Sequence, residues 1–137
     1  LKETGLSEKI CERILQIRKD LDLNQYIKRI QSAGINFLIK DDIEYPRYLK
    51  EIDQPPPVLY LKGDLSLEDE WAVAIVGTRK VTHYGKQITE EFSRVLADHK
   101  ITVVSGLARG VDGIAHKSAL ESGGRTLAVL GGCVDRI

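Results

Sequence analysis

The stretch ITVVSGLARGVDGIAHKSALESGGRTLAVL, residues 101–130, decides the fold. It opens with the apolar run ITVV (101–104), passes through a glycine-rich loop and ends in a second apolar run, TLAVL (126–130). Between them, DGIAHKSALES (112–122) has the spacing of a short helix. The stretch therefore predicts a strand, a loop, a helix and a second strand.

The residues before this stretch repeat the same unit. VAIV (73–76) is another apolar run without polar alternation, a pattern typical of strands that are covered on both faces. THYGKQITEEFSRVLADHK (82–100) predicts an amphipathic helix with Ile88, Phe92 and Leu96 turned inward. Right-handed crossovers in such a β-α-β-α-β chain place helices on the faces of a parallel sheet. We expect an α/β fold, the first half of a Rossmann-like parallel sheet.

The N-terminal part has a different texture. Ser7 is in position to begin a first helix, and Gly34 supplies a left-handed stop to a second one. Short strands are predicted at NFLIK (36–40) and VLYLK (58–62), with Pro55 to Pro57 forcing an extended entry into the second.

Two domains follow from this change of texture. Residues 1–34 are predicted to be a small helical domain, and residues 35–137 the N-terminal part of a Rossmann-like domain. The two helices could contact a DNA backbone, but simple packing is the commoner use of such a pair.

Composition and charge restrict the function. The 137 residues are 42% hydrophobic and 29% charged with a net charge of zero, as in an ordinary globular protein. The first 71 residues carry 11 Lys and Arg against 14 Asp and Glu, whereas the rest carry 9 against 6. An anion site is therefore expected in the second half.

Location and thiol chemistry can also be predicted. No apolar run is long enough to span a membrane and no signal-peptide pattern opens the chain, so we expect a cytoplasmic protein. Cys11 and Cys133 have no metal-ligand spacing, and we expect them to be reduced and inert.

Three loops follow the predicted parallel strands, namely GTRK (77–80), SGLARGVD (105–112) and GGCVD (131–135). In parallel sheets ligands bind at the carboxyl ends of the strands, where these loops would gather. Glycine allows a ligand to approach main-chain N–H groups, and the following helix adds a positive N-terminal dipole. One such loop could simply end a strand, but three favour an anion-binding crevice.

Arginines strengthen that interpretation. Arg79 and Arg109 lie in these loops, and a planar guanidinium can bind two phosphate oxygens at once. A Walker A loop is not predicted, because Lys117 follows His116 rather than a glycine. The glycine spacing around Gly110 does not match a dinucleotide fingerprint either, so no cofactor and no metal are expected.

Asp112 and His116 are four residues apart and share one face of the predicted helix. Asp112 could orient His116, which would then act as a general base for Ser105. The favoured prediction is structural: Asp112 caps the helix and His116 bonds to it. Asp135 could be another cap or an acceptor for a base edge, and the sequence does not decide between them.

Four linked motifs strongly resemble the DNA-processing protein A (DprA/Smf) family. They are YPRYLKEIDQPPPVLYLKGD (45–64), VAIVGTRKVTHYG (73–85), VVSGLARGVDGIAHKSAL (103–120) and GGRTLAVLGGCVD (123–135). They occur in one order and spacing from residue 45 to the end. The two N-terminal helices resemble, less specifically, the family's small domain, which is similar to a sterile alpha motif (SAM-like).

The resemblance implies a dimeric protein, not an enzyme, that binds single-stranded DNA and loads the RecA recombinase during natural transformation. The family's G-[S/T]-R loop matches residues 77–79, and its SGxAxGxD loop matches residues 105–112. The predicted DNA-binding residues are Gly77, Thr78, Arg79, Lys80, Ser105, Gly106, Arg109, Gly110 and Gly131. Binding through phosphates alone would give little sequence preference.

Two other functions remain open at this point. A nucleotide phosphoribohydrolase of the lysine-decarboxylase-like (LOG) class would use a similar crevice, but its PGGxGT loop does not occur in these residues. Alternatively, the N-terminal helices would be a docking module and the Rossmann-like half only its scaffold.

Overall fold

The structure, a computed structural model, describes residues 5–135. Helices and strands alternate in the C-terminal half, as the sequence predicts. In chain order the elements are α1 (Glu8–Asp20), α2 (Leu23–Ser32), β1 (Asn36–Ile39), α3 (Arg47–Lys50), β2 (Val58–Leu61), a 3₁₀ turn (Leu67–Glu70), β3 (Ala72–Ala74), α4 (His83–Asp98), β4 (Thr102–Ser105), α5 (Val111–Glu121) and β5 (Thr126–Ala128).

The main sheet has three parallel strands in the order β3-β4-β5. Val73 is paired with Val103, which is paired in turn with Thr126. The strands β1 and β2 form a separate antiparallel pair, with Asn36 opposite Leu61. The predicted α/β, Rossmann-like architecture is confirmed.

Among the described residues both crossover helices lie on one face of the sheet. The core consists of Val103 with Ala115 and Ala119 of α5, and Leu96 of α4 packs against it. Helices α4 and α5 lie side by side, as expected for right-handed crossovers that move the chain the same way across the sheet. On the opposite face Val76 is 74% exposed.

The buried face of α4 agrees with the prediction at Leu96, which packs against the core, but not at Phe92. Phe92 is 61% exposed, whereas Thr89, Ser93 and Ala97 are buried. Small side chains are needed here because α4 approaches the chain after α5 closely, and a Cβ at Gly124 would lie 2.4 Å from the Cβ of Ala97. Close helix packing therefore selects the small face of α4 rather than its most apolar one.

The N-terminal helices are much less buried. No residue of α1 is buried, and its N-cap Ser7 makes no side-chain capping bond. In α2 only Ile30 is buried, and Gly34 ends the segment with φ +69°, as predicted. The hydroxyl groups of Tyr26 and Tyr60 are 3.1 Å apart and connect α2 with β2.

The carboxylate of Asp69 attaches the 3₁₀ turn to residues at the amino ends of β4 and β5. Asp69 accepts hydrogen bonds from Arg125 Nε at 2.6 Å and from Thr102 Oγ1 at 2.9 Å. Burial acts to raise the pKa of Asp69, but the bonds from Arg125, the Ser66 N–H and Thr102 outweigh it and lower the pKa. The sequence pattern gave no signal for this contact, because Arg125 is 56 residues from Asp69.

Candidate nucleic-acid interface

The three predicted loops lie at one edge of the sheet. Residues 77–80 follow β3, residues 105–110 lie between the end of β4 and α5, and residues 131–135 follow β5. Because the three strands are parallel and adjacent, their carboxyl ends meet at this edge. We call the surface formed by the first two loops the crevice.

The first two loops are in direct contact. The Val111 N–H donates a hydrogen bond to Thr78 O at 3.2 Å. Gly110 has φ +91°, and a Cβ added there would lie 2.3 Å from Thr78 O and 2.7 Å from Arg79 Cα. A Cβ at Gly77 would meet the side chain of Val111 at 2.7 Å. Glycine is therefore required at 77 and 110 for the two loops to touch.

The third loop is attached through the strands. The Val129 N–H donates to Ser105 O at 2.9 Å, which continues the pairing of β4 and β5 beyond the end of β5. Gly131 is exposed, and no atom lies within 4 Å of the place where its Cβ would be. The structure thus places Gly131 at the same edge but shows no contact that it makes with the crevice.

The cations at this edge are not paired. Arg79, Lys80 and Arg109 are exposed, and their side chains make no hydrogen bond or ion pair with any residue in the range 5–135. By contrast, Arg125 at the opposite end of the sheet is bonded to Asp69. The guanidinium groups of the crevice are thus available to an anion.

The main chain contributes donors unevenly. The N–H groups of Leu107, Ala108 and Arg109 bond to nothing within the described part of the chain, and Leu107 has φ +57°. The Gly106 N–H, however, already donates to Asp112 Oδ2 at 3.2 Å, and the Lys80 N–H donates to Thr78 Oγ1. The N–H groups of the loop tip are therefore unbonded, whereas those of Gly106 and Lys80 are already used within the chain.

Ser105 lies beneath the crevice rather than on it. The residue is buried, and its hydroxyl donates to Ile75 O at 2.6 Å. Its side chain therefore attaches β4 to the chain after β3, and the contact of this residue with DNA stays a prediction.

The partners predicted for Asp112 and His116 are wrong. Gly110 is the N-cap of α5, no side chain caps the helix, and Asp112 bonds to Gly106 instead. A side chain in the first turn of a helix leans back toward the preceding loop, which brings this carboxylate to Gly106. His116 bonds through Nδ1 to Thr126 Oγ1 at 2.6 Å, not to Asp112.

His116 is buried, and its surroundings favour the neutral form of the imidazole. Thr126 Oγ1 donates to Val103 O, so it accepts from His116 Nδ1–H, and Nε2 is left buried without a partner among the described residues. Burial lowers the pKa of His116, although Asp112 and Ser105 O oppose the shift. Because Ser105 and His116 are bonded elsewhere, no nucleophile and base are hydrogen-bonded to each other here.

Other kinds of site receive no support from the described residues. Within residues 5–135 no group of His, Cys, Asp and Glu side chains could hold a metal ion, and no helix there could cross a membrane. An open depression of 430 Å³ lies away from the crevice on the outer side of α4, between Gln87 and Val95. Its lining carries Glu90 and Glu91 against Arg94, so it is net acidic and does not suit a polyanion.

The fold and this edge define a class: Rossmann-like α/β proteins whose sheet carries glycine loops and exposed cations at its carboxyl end. Within that class, the family model described as DNA recombination-mediator protein A matches residues 36–137. The chain therefore belongs to this family, and the resemblance noted in the sequence is confirmed.

Individual relatives agree. The chain is 42% identical to Protein Smf of Synechocystis sp. over 97% of its own length and 34% of that protein. It is 37% identical to DNA processing protein DprA of Bacillus subtilis over 80% of its own length and 37% of that protein. The chain thus spans little more than a third of these relatives.

Solved structures show the same fold. An X-ray structure of DprA from Streptococcus pneumoniae matches with a TM-score of 0.79 and 33% identity, covering 97% of this chain and 45% of that one. A structure describing the single-stranded DNA binding mode of DNA processing protein A from Helicobacter pylori matches with a TM-score of 0.65 and 38% identity. That match covers 75% of this chain and 45% of the other.

Proposed function

We propose that this chain binds single-stranded DNA through the crevice. The observation that supports the proposal is the direct contact of two glycine loops, which brings unbonded N–H groups of the 107–109 tip beside the unpaired side chains of Arg79, Lys80 and Arg109. Phosphate oxygens are the acceptors that such donors suit best.

Contacts of this kind hold the strand by its backbone. Guanidinium groups and main-chain N–H groups carry no information about base identity, so the affinity should depend little on sequence. Each phosphate neutralised on a single strand contributes about 0.7 to the negative slope of log affinity against log salt concentration. A crevice with three cations therefore implies a modest slope.

The wider role follows from the family. The protein from Helicobacter pylori binds single-stranded DNA, and its resemblance to this chain supports the same ligand here. Loading of the RecA recombinase, a homodimer, a cytoplasmic location and the separation of a SAM-like domain at residues 1–34 belong to the same proposal. The Asp112 and Ser105 bonds give no support to the phosphoribohydrolase alternative.

The test compares two exposed arginines. Arg79 lies in the crevice, whereas Arg94 lies on the outer side of α4. Binding of a labelled oligothymidine is measured by fluorescence anisotropy at one salt concentration for wild type, Arg79→Ala and Arg94→Ala. We expect Arg79→Ala to weaken binding about tenfold, as loss of a charged hydrogen bond implies, and Arg94→Ala to have little effect.

Each variant is first shown to be folded by its thermal unfolding curve. Equal weakening by both substitutions would mean that the DNA is attracted by the positive charge of the surface in general and is not bound at the crevice. Wild-type affinity in folded Arg79→Ala would contradict the proposed site.

A further inference from the structure

A buried carboxylate lies at the base of the crevice. Asp112 is 7% exposed, and the hydrogen bond recorded for its side chain is the one that it accepts from the Gly106 N–H at 3.2 Å. No Lys, Arg or His among residues 5–135 forms an ion pair with it. A site expected to attract phosphate therefore contains a negative charge of its own.

Neighbouring groups do not cancel this charge. His116 is one turn further along α5, but burial lowers its pKa, which favours the neutral imidazole at neutral pH. The side chains of Arg79, Lys80 and Arg109 are directed to no carboxylate among the described residues. What stabilises the Asp112 carboxylate is the Gly106 N–H and the positive N-terminal end of α5.

The helix terminus is consequently shared between its own carboxylate and any bound anion. The N-terminus of a helix attracts negative charge. A fixed carboxylate nearby, however, repels a bound anion in proportion to the anion's charge. A phosphodiester carries one negative charge, whereas a phosphate monoester carries about 1.5 to 2 negative charges at neutral pH. The repulsion is therefore about twice as large for the monoester.

We propose that Asp112 is a specificity-determining residue that weakens the binding of doubly charged phosphates, such as free nucleotides and strand ends, more than it weakens the binding of phosphodiesters within a strand. This inference rests on the proposed function, since it assigns a selectivity to the same crevice. The carboxylate also positions Gly106, so a structural role must be separated from the electrostatic one.

The experiment uses two small anions that differ in charge. Amide NMR shifts of the whole chain are followed during titration with dimethyl phosphate, a monoanion, and with inorganic phosphate at pH 8, a dianion, at constant ionic strength. We expect both to shift the resonances of the 107–110 loop tip. Because the three cations of the crevice attract the dianion more strongly than the monoanion, the ratio of the two affinities in native protein is the reference for the variant.

Asp112→Asn removes the charge but keeps an oxygen that can accept from the Gly106 N–H. We expect it to raise the affinity for dimethyl phosphate by about threefold and for inorganic phosphate by about tenfold, because the lost repulsion scales with charge. Asp98→Asn is the matched control: Asp98 ends α4, at the opposite end of that helix from the crevice, and we expect no change of affinity with either anion.

Several results would overturn the inference. They are equal gains for the two anions in Asp112→Asn, weaker binding of both in a folded variant, and no shift with either anion. If Asp112→Asn does not fold, Asp112→Ser, which also keeps an oxygen that can accept a hydrogen bond, takes its place and must meet the same conditions. Failure of oligothymidine to bind, with this anion selectivity intact, would refute the proposed function alone.

Discussion

The first and the last helix of the chain differ in both pattern and burial: α1 has the more pronounced apolar stripe, yet α5 is the one that is packed into the core. In α5 five residues are buried, including Ala115 and Ala119 at zero exposure. In α1 none is buried, and Ile17 is 55% exposed. A pronounced apolar stripe thus stays on the surface in α1, whereas the small residues of α5 are buried.

The difference shows that burial depends on a partner surface. Helix α5 lies against β4 and against the small residues of α4, so it is covered from two sides. Helix α1 has no such cover among the described residues. The family model begins at residue 36, so it covers the well-packed region that contains the crevice and leaves out α1.

Substitution of glycines should separate the two regions most strongly. Gly110→Ala would place a Cβ 2.3 Å from Thr78 O, so we expect a loss of at least about 3 kcal/mol in the free energy of unfolding and separation of the two crevice loops. Gly34→Ala meets no atom within 4 Å and changes only the backbone preference at φ +69°, so about 1 kcal/mol is expected. Urea unfolding followed by circular dichroism measures both.

A smaller contrast is expected from side-chain truncation. Val103→Ala leaves a cavity at a position of zero exposure and should lower the free energy of unfolding by about 2 kcal/mol. Ile17→Ala, on exposed α1, should change it by less than about 0.5 kcal/mol. Equal losses in urea unfolding would mean that α1 is packed against a surface after all.

Acid should affect the packed region first. Because the pKa of His116 is lowered in the folded state, the unfolded state binds its proton more readily, and stability falls as the pH drops below the ordinary value of 6.5. The lowered pKa of Asp69 has its effect only below 3.8. We therefore expect unfolding free energies to decrease from pH 7.5 to 5.0 in wild type and less so in His116→Asn.

His83→Asn is the control for this pH dependence, since His83 is exposed at the start of α4. An unchanged pH dependence in His116→Asn, together with a flattened one in His83→Asn, would contradict the assignment.

The smallest effect is expected from the cations of α1. Arg18 and Lys19 lie in its last turn, on the surface. Their joint replacement by alanine should leave the affinity for oligothymidine within about twofold, because the crevice holds the strand. A loss as large as that of Arg79→Ala would favour the N-terminal helices as the docking module.

Local patterns predicted much of the fold. The three parallel strands, both crossover helices and the stop at Gly34 could all be predicted from apolar runs and glycines. The side of α4 that is buried could not, because it depends on the close approach of Gly124 to Ala97. Periodicity ranks the faces of a helix by apolarity, whereas packing selects the face that fits.

The candidate site also has features that the local sequence predicts and features that depend on tertiary packing. Its loops and unpaired arginines follow from glycine positions and strand ends, which are local. The bond from Gly106 to Asp112 and the contact of His116 with Thr126 join α5 to other elements. They depend on how α5 packs against the sheet, which no spacing rule encodes. An acidic residue in the first turn of a helix after a glycine loop is the one signal that could have indicated the first of these bonds.

The most direct test of the crevice is an amide NMR map of the chain during titration with oligothymidine. We predict that the largest shifts occur at residues 77–80 and 107–110, where the two glycine loops meet, and that the resonances of α1 do not move. The largest shifts in α1 or on the outer side of α4, with both loops unaffected, would contradict the account.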